Sequence, residues 1–294
     1  MKTVLETLRP RQWTKNLLLF AGVLFSRQLG NPALALRAGV GFAAFCLLSS
    51  AVYLVNDLKD VEADRRHATK RGRPVASGRL PTATARVIVA VLLTGAGAIA
   101  WWLGLDFLGV AAGYLALNLA YTFALKNHVL LDVFAIAIGF VLRAIAGVEL
   151  LKPVSPQTEL SPWLLVCSFF GALFLALAKR RRELANAGAD AAHQRAVLGH
   201  YDGGLLDGLL MVTAAASLMA YALYTIWPGT VAKFGTEALL YTVPFVAYGI
   251  FRYLYLVRAT EQAEDPSSML LADRPLAACV LLYLIAVLAI LYTR

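Results

Sequence analysis

Long apolar runs, interrupted by short clusters of charge, glycine and proline, set the pattern of the chain. Read as membrane-length helices they predict nine elements, near 13–27, 33–55, 82–103, 107–125, 130–150, 161–179, 205–226, 236–256 and 275–293. Most approach the roughly 17–25 residues that a bilayer crossing requires. The first is the weakest, because its apolar part runs only from Trp13 to Phe25; it is expected to tilt, or to lie against neighbouring helices rather than lipid. Breaks fall at Gly30-Asn31-Pro32, at Pro153 and Pro156, at Trp227-Pro228-Gly229 and at Pro266, where the chain must turn outside hydrocarbon. No stretch reads as a linker between soluble domains. The predicted fold is therefore all-α, a polytopic bundle forming one integral membrane catalytic domain over 1–294.

Composition sharpens this picture. The chain is 60% apolar and 15% charged, against roughly 45–50% and 25% in soluble domains, which excludes a soluble Rossmann, barrel or repeat architecture. The net charge of +9 sits mainly in short loops, so it reads as topology and as attraction for an anionic substrate, and no nucleic acid is needed to explain it. With the N-terminus cytoplasmic and nine spans, 21 Lys and Arg fall on the cytoplasmic side, 5 on the other, and Arg143 lies within a span. That split predicts a multi-pass protein of the cytoplasmic membrane, with the loops 56–81 and 180–204 facing the cytoplasm and the C-terminus facing outward. Cys46, Cys167 and Cys279 lie inside apolar runs without disulfide or zinc spacing and are expected to be packing residues. The polar stretch Met1 to Lys15 does not resemble a cleavable signal.

The chemistry concentrates at the end of the second span. Asn56-Asp57-Leu58-Lys59-Asp60-Val61-Glu62-Ala63-Asp64 continues the apolar run without a turn residue, and on a continuous helix Asp57, Asp60 and Asp64 would lie within about 60° of one another. Stacked carboxylates repel unless a cation lies between them; Mg²⁺ with waters and substrate phosphates suits such oxygen donors, and a solvated helix end is the bland alternative. A basic loop follows, Lys70-Arg71-Gly72-Arg73-Pro74-Val75-Ala76-Ser77-Gly78-Arg79. Its cations suit phosphate oxygens, or lipid headgroups.

Asn-Asp-x-x-Asp-x-x-x-Asp followed by Lys-Arg-x-Arg-Pro-x-x-x-Gly resembles the first signature of the UbiA superfamily of intramembrane prenyltransferases. That resemblance implies a nine-helix fold with a magnesium-diphosphate site at these residues. The second signature region reads Tyr121-Thr122-Phe123-Ala124-Leu125-Lys126-Asn127-His128-Val129-Leu130-Leu131-Asp132; typical members have a second aspartate-rich cluster there, whereas this chain offers Asp132 with Lys126. The opening Leu8-Arg9-Pro10-Arg11-Gln12-Trp13-Thr14-Lys15-Asn16, together with the Lys179-Arg180-Arg181-Arg182-Glu183-Leu184 stretch through Arg195, Leu198 and Tyr201, resembles the decaprenyl-phosphate phosphoribosyltransferase branch. It implies transfer of 5-phosphoribosyl from phosphoribosyl diphosphate to a polyprenyl phosphate, with release of pyrophosphate, for cell-wall arabinan precursors.

Residues and resemblance together give the expected site. Asp57, Asp60 and Asp64 bind Mg²⁺; Asp57, Asp60, Lys126 and Asp132 are catalytic; Lys15, Asn56, Lys70, Arg73, Tyr121, Arg143, Lys179, Arg180, Arg182 and Tyr201 bind substrate. Lys126 and the 179–182 run are expected to hold the donor's phosphates, with membrane anchoring as the alternative for the run. Arg143, midway along the fifth span, reads as a substrate contact in a groove shared with Asp132 or as a structural pair, and Glu149 is not its expected partner. His67, His128, His193 and His200 lack metal spacing, and Trp101, Trp102, Trp163 and Trp227 fit an interfacial belt. Competing functions are prenyl transfer to an aromatic or haem acceptor on the same fold, and a transporter, whose internal repeats are not apparent. Oligomeric state stays open, a homo-oligomer included.

Overall fold

The computed structural model describes residues 2–26, 30–66, 70–156, 158–187, 196–259, 269 and 272–292, and among them every regular element is helical. Eight helices are long and apolar enough to cross a membrane. The region predicted as the first of nine spans is instead a 3-10 helix, Pro10–Phe20, leading into the five-residue helix α2, Ala21–Phe25. Its sequence explains the difference. Gln12, Thr14, Lys15 and Asn16 interrupt the apolar pattern, and Pro10 opens the segment.

The chain folds as two compact units. Unit 1 comprises Met1–Lys126 and Gly139–Leu160. It contains α1 (Lys2–Leu8), the 3-10 segment, α2, α3 (Pro32–Lys59), α4 (Val61–Arg66), α5 (Thr82–Leu103), α6 (Leu105–Phe123) and α7 (Leu131–Glu149) from Gly139 onward. Asn31 starts α3 by accepting from the Ala33 and Leu34 N–H groups, with Pro32 in the first turn where no N–H is needed. Gly104, at φ 128°, joins α5 directly to α6 through a backbone conformation open to glycine. Within its apolar stretch α3 is 61% buried, against 22% for α5 and α6, which makes it the central helix of the unit.

Small side chains bring unit 1 together closely, as membrane helices require where no water drives association. A methyl on Gly22 would overlap the Gly147 carbonyl, and one on Gly147 would overlap Leu19, so the N-terminal segment crosses α7 backbone to backbone. Around that crossing Leu19, Val23, Leu34, Phe45, Leu103, Phe107 and Leu150 form the core. At the far end of α3 from Asp57, Arg37 donates to the carbonyls of Leu150 and Leu103, satisfying acceptors at two helix ends with one cation.

Unit 2 comprises Asn127–Ile138 and Ser161–Arg294. It contains the start of α7, α8 (Pro162–Ala187), α9 (Gly203–Ile226), α10 (Pro228–Phe234), α11 (Val243–Ala259) and α12 (Arg274–Tyr292). Asp202 starts α9 by accepting from Leu205 N–H. α8 packs mainly on α9, and Phe174 meets Tyr253 of α11 edge-on at 5.6 Å. Trp163 and Trp227 meet edge-to-face at 5.6 Å in this unit, while Trp101 and Trp102 are exposed at the end of α5. Cys46 and Cys279 are buried, Cys167 is half-buried, and all three are free thiols.

Candidate active site

In unit 1 the helix carrying the acidic motif does not run straight through it. α3 ends at Lys59, Asp60 caps it at φ −94° and ψ 12°, and α4 starts at Val61. The break divides the carboxylates. Asp57 and Asp64, both buried, converge on Arg73, whose Nη1 donates to Asp57 Oδ1 at 3.0 Å and to Asp64 Oδ2 at 2.7 Å. Asp60 turns to Lys126, whose Nζ donates to its two oxygens at 3.0 and 2.7 Å and to Asn56 Oδ1 at 3.3 Å. The uniform three-carboxylate ladder drawn from spacing is thus two acids facing one guanidinium and a third facing an ammonium.

Arg73 reaches that position because the basic loop folds back. Val75 and Leu80 are buried against Leu54 and Ala85, Arg65 holds the Ala76 carbonyl, and Gly78 turns the chain at φ 76°. Arg79 leaves the motif and pairs with Glu6 of α1 at 2.8 and 3.0 Å, which lowers the Glu6 pKa from the ordinary carboxylate value. Lys70 lies in the short 3-10 turn Lys70–Gly72, Tyr121 is half-buried in the last turn of α6, and Lys15 is half-buried in the N-terminal 3-10 helix. Lys59 donates to the Thr122 carbonyl at 2.7 Å and lies over the Phe123 ring, capping α6.

Arg9 joins this cluster without any signal from local spacing. It is 48 residues from Asp57, yet its Nη2 donates to both Asp57 oxygens at 2.6 and 2.8 Å, and its guanidinium lies 5.0 Å from the Tyr53 ring centre. Its backbone is left-handed, φ 52° and ψ 59°, which few non-glycine residues adopt.

Deeper in unit 1, Arg143 is buried. It donates to Asn16 Oδ1 at 2.8 Å, the Gly139 carbonyl at 3.0 Å and Tyr114 OH at 2.7 Å, and lies against the Tyr114 and Phe140 rings. Asn16 continues the network to Ser49 and Cys46. These neutral partners bind the N-terminal segment to α3, α6 and α7. Glu149 pairs with Lys152.

Unit 2 holds a second polar cluster. Asp132, in the first turn of α7 where the helix dipole favours an acid, accepts from Arg180 Nε and from Tyr201 OH, the latter at 2.7 Å. Tyr201 OH in turn accepts from Leu130 N–H at 2.9 Å, and Leu130 is left-handed at φ 66°. Burial, followed by the Asp132 carboxylate, raises the Tyr201 pKa. Arg180 also binds Glu183 at 2.6 Å, and Lys179 lies 3.9 Å from the same acid. Arg181 pairs with Asp207, while Arg182 is buried with its Nη1 on Met269 Sδ. The basic run is therefore engaged by unit 2's own acids and apolar interior along much of its length. His128 and His200 are exposed, whereas His67, His193 and Arg195 lie outside the described residues.

Among the described residues no three His, Cys, Asp or Glu side chains are grouped to hold a metal. The donors nonetheless fit a hard cation in part. Arg73 Nη1 already occupies a point shared by Asp57 and Asp64, and Mg²⁺ is commonly bound by one or two carboxylates, the rest of its shell being substrate phosphate and water.

Comparison with known proteins gives this arrangement its context. Residues 17–278 match the model of the UbiA prenyltransferase family. The chain belongs to that family. The UbiA chain is 35% identical to the decaprenyl-phosphate phosphoribosyltransferase of Mycolicibacterium smegmatis, over 98% of its own length and 92% of the relative's. Identity to the protein of the same name from Corynebacterium glutamicum is also 35%, over 98% and 86%. A solved UbiA homolog from Archaeoglobus fulgidus, bound to GPP and Mg²⁺, shares the fold with TM-score 0.71 at 17% identity, covering 98% of this chain and 99% of that one. Family and apolar helices together make the protein an integral membrane transferase.

Proposed function

We propose that this UbiA protein, acting as a single catalytic domain, transfers 5-phosphoribosyl from phosphoribosyl diphosphate to polyprenyl (decaprenyl) phosphate, with release of pyrophosphate, as a step toward cell-wall arabinan precursors. The observation that carries the proposal is the similarity, over 98% of the chain, to relatives bearing that enzyme's name. The cluster in unit 1 agrees with it. The donor brings a diphosphate and a 5-phosphate, so its site needs cations at least as much as acids, and Arg9, Arg73 and Lys126 supply one beside each carboxylate.

Asp57 and Asp64 would hold a divalent metal, which when bound neutralises charge on the departing pyrophosphate. Arg73 and Lys126 then turn from their acids to the donor's phosphate oxygens, Arg73 by its planar fork and Lys126 as a point charge. No side chain has to remove a proton from the acceptor, because a lipid phosphate monoester is already ionised near neutral pH; the need for a catalytic base falls away. The buried group of Asp132, Arg180 and Tyr201 orders unit 2. We place the acidic and basic loops on the cytoplasmic side, on the strength of the 21 to 5 split in Lys and Arg.

Purified protein with magnesium, offered labelled phosphoribosyl diphosphate and polyprenyl phosphate, is expected to form a labelled lipid and pyrophosphate. Consumption of a prenyl diphosphate with an aromatic acceptor, and no use of the sugar donor, would overturn the assignment in favour of ordinary prenyl transfer.

A further inference from the structure

Arg9 is held in an unusual way. Its left-handed backbone is held by its flanks: the Leu8 carbonyl accepts from Ser50 Oγ at 2.8 Å, Trp13 Nε1 donates to that Ser50 Oγ at 3.0 Å, and Pro10, with its own φ fixed, disfavours ordinary helix at Arg9. Both flanks are thus bound to one serine of α3, seven residues or about two turns before Asp57. The conformation that aims Arg9 at Asp57 does not depend on the ion pair it makes there. A strained residue held by its surroundings is the arrangement expected where position serves function.

The guanidinium is also only partly used. Its Nη2 makes both contacts with Asp57, and among the described residues no acceptor takes the hydrogens of Nε or Nη1. Arg73 alone already bridges Asp57 and Asp64, so Arg9 is a second cation on one carboxylate. A divalent cation needs the same Asp57 oxygens. Two guanidiniums balance two carboxylates in the ligand-free cluster, and a bound dication leaves a surplus of positive charge that a diphosphate would balance.

We propose that Arg9 is a substrate-positioning residue: it stands in for the divalent cation on Asp57 in the ligand-free protein and passes its guanidinium to the donor's diphosphate when that carboxylate takes the metal. The proposal rests on the phosphoribosyl-diphosphate reading for the donor, and on the pinned backbone and unused donors for the exchange. The Tyr53 ring, 5.0 Å from the guanidinium, offers it a face beside Asp57.

The test uses the full chain in detergent micelles, with Mn²⁺ alone followed by electron paramagnetic resonance, and inorganic pyrophosphate titrated at saturating Mn²⁺. Arg9→Gln is expected to bind Mn²⁺ about tenfold more tightly, the factor for losing one competing charge-assisted contact, and to bind pyrophosphate at least about tenfold more weakly. Opposite shifts are the signature, because a merely structural role would weaken both together. Unchanged or weaker Mn²⁺ binding, or unchanged pyrophosphate binding, overturns the proposal. If Arg9→Gln does not fold, Arg9→Met carries the same two measurements, since it keeps an unbranched stem while removing the charge and the Asp57 contacts; the same opposite shifts are expected. Neither probe contains ribose, so a protein that proved to use a prenyl diphosphate would fail the functional reading while leaving this exchange to be decided on its own data.

Discussion

The two polar clusters use the same chemistry and differ in exposure. In unit 1 the cations remain partly open: the side chains of Arg9, Arg73 and Lys126 are 25%, 26% and 17% exposed. In unit 2 Asp132 and Arg180 are 0% and 1% exposed, and Tyr201 is buried with them. Open cations can exchange a carboxylate for a phosphate because water covers the interval. For closed ones the exchange is costly, since any separated ion would be left without solvent. The difference teaches that residue type and motif membership nominate a site, while exposure separates the groups able to change partners from those that hold a frame.

The largest effect should come from breaking the closed cluster. Asp132→Asn keeps the side-chain shape but removes the buried carboxylate from Arg180, and is expected to cost about 3 kcal/mol of stability, the lower end for a broken buried pair. Thermal unfolding in micelles measures it. Asp57→Asn is the counterpart in the open cluster: its guanidiniums can rehydrate, so fold should be retained while Mn²⁺ affinity and turnover are lost. Wild-type melting with no activity in Asp132→Asn would break the comparison by making the buried acid a chemical participant.

Next in size is Lys126→Ala. Losing one charge-assisted contact of about 1.5–3 kcal/mol should lower kcat/KM for phosphoribosyl diphosphate roughly tenfold to a hundredfold. The KM for the lipid should change less. Equal losses toward both substrates would mean that Lys126 serves Asp60 and the fold alone, and that the open cluster is structural as well. A smaller change follows from Tyr201→Phe, which strips one hydrogen bond from Asp132 and leaves the Leu130 N–H without its acceptor. The expected cost is about 1–2 kcal/mol in stability, with turnover preserved at temperatures below the transition.

Much of the fold was legible from apolar pattern. The 82–103 run is helix α5 residue for residue, and most of the other predicted spans from 33–55 onward end within a few residues of the observed helices, because length and hydrophobicity alone decide a bilayer crossing. The N-terminal segment was less legible: its course depends on Gly22 meeting Gly147 and on Asn16 meeting Arg143, contacts between residues far apart in sequence. In the site, the motif residues Asp57, Asp64 and Arg73 come together, as do Asp132, Arg180 and Tyr201. Spacing could not give the break at Asp60, which requires the local backbone angles. Nor could it give Arg9, 48 positions away. The one hint was an arginine immediately before a proline, where ordinary helix is disfavoured.

The smallest effect tests the exposed limit of the same comparison. Glu6 and Arg79 pair with their side chains 49% and 47% exposed, joining α1 to the loop that carries Arg73. Arg79 holds the Glu6 pKa below the ordinary value of 4.5 in the folded state, chiefly by hydrogen bonding. The unfolded chain therefore takes up this proton first as pH falls, so the pair's contribution is present above the unfolded value and is lost as pH drops through the folded one. Solvent screening keeps it small. Melting temperatures of wild type and Glu6→Gln should differ slightly at pH 6 and converge once the pH is below the folded value, and added salt should narrow the gap at pH 6. A large, salt-insensitive difference would mean that this pair is shielded from water as the Asp132 cluster is, and that exposure does not separate the two kinds of ion pair in this protein.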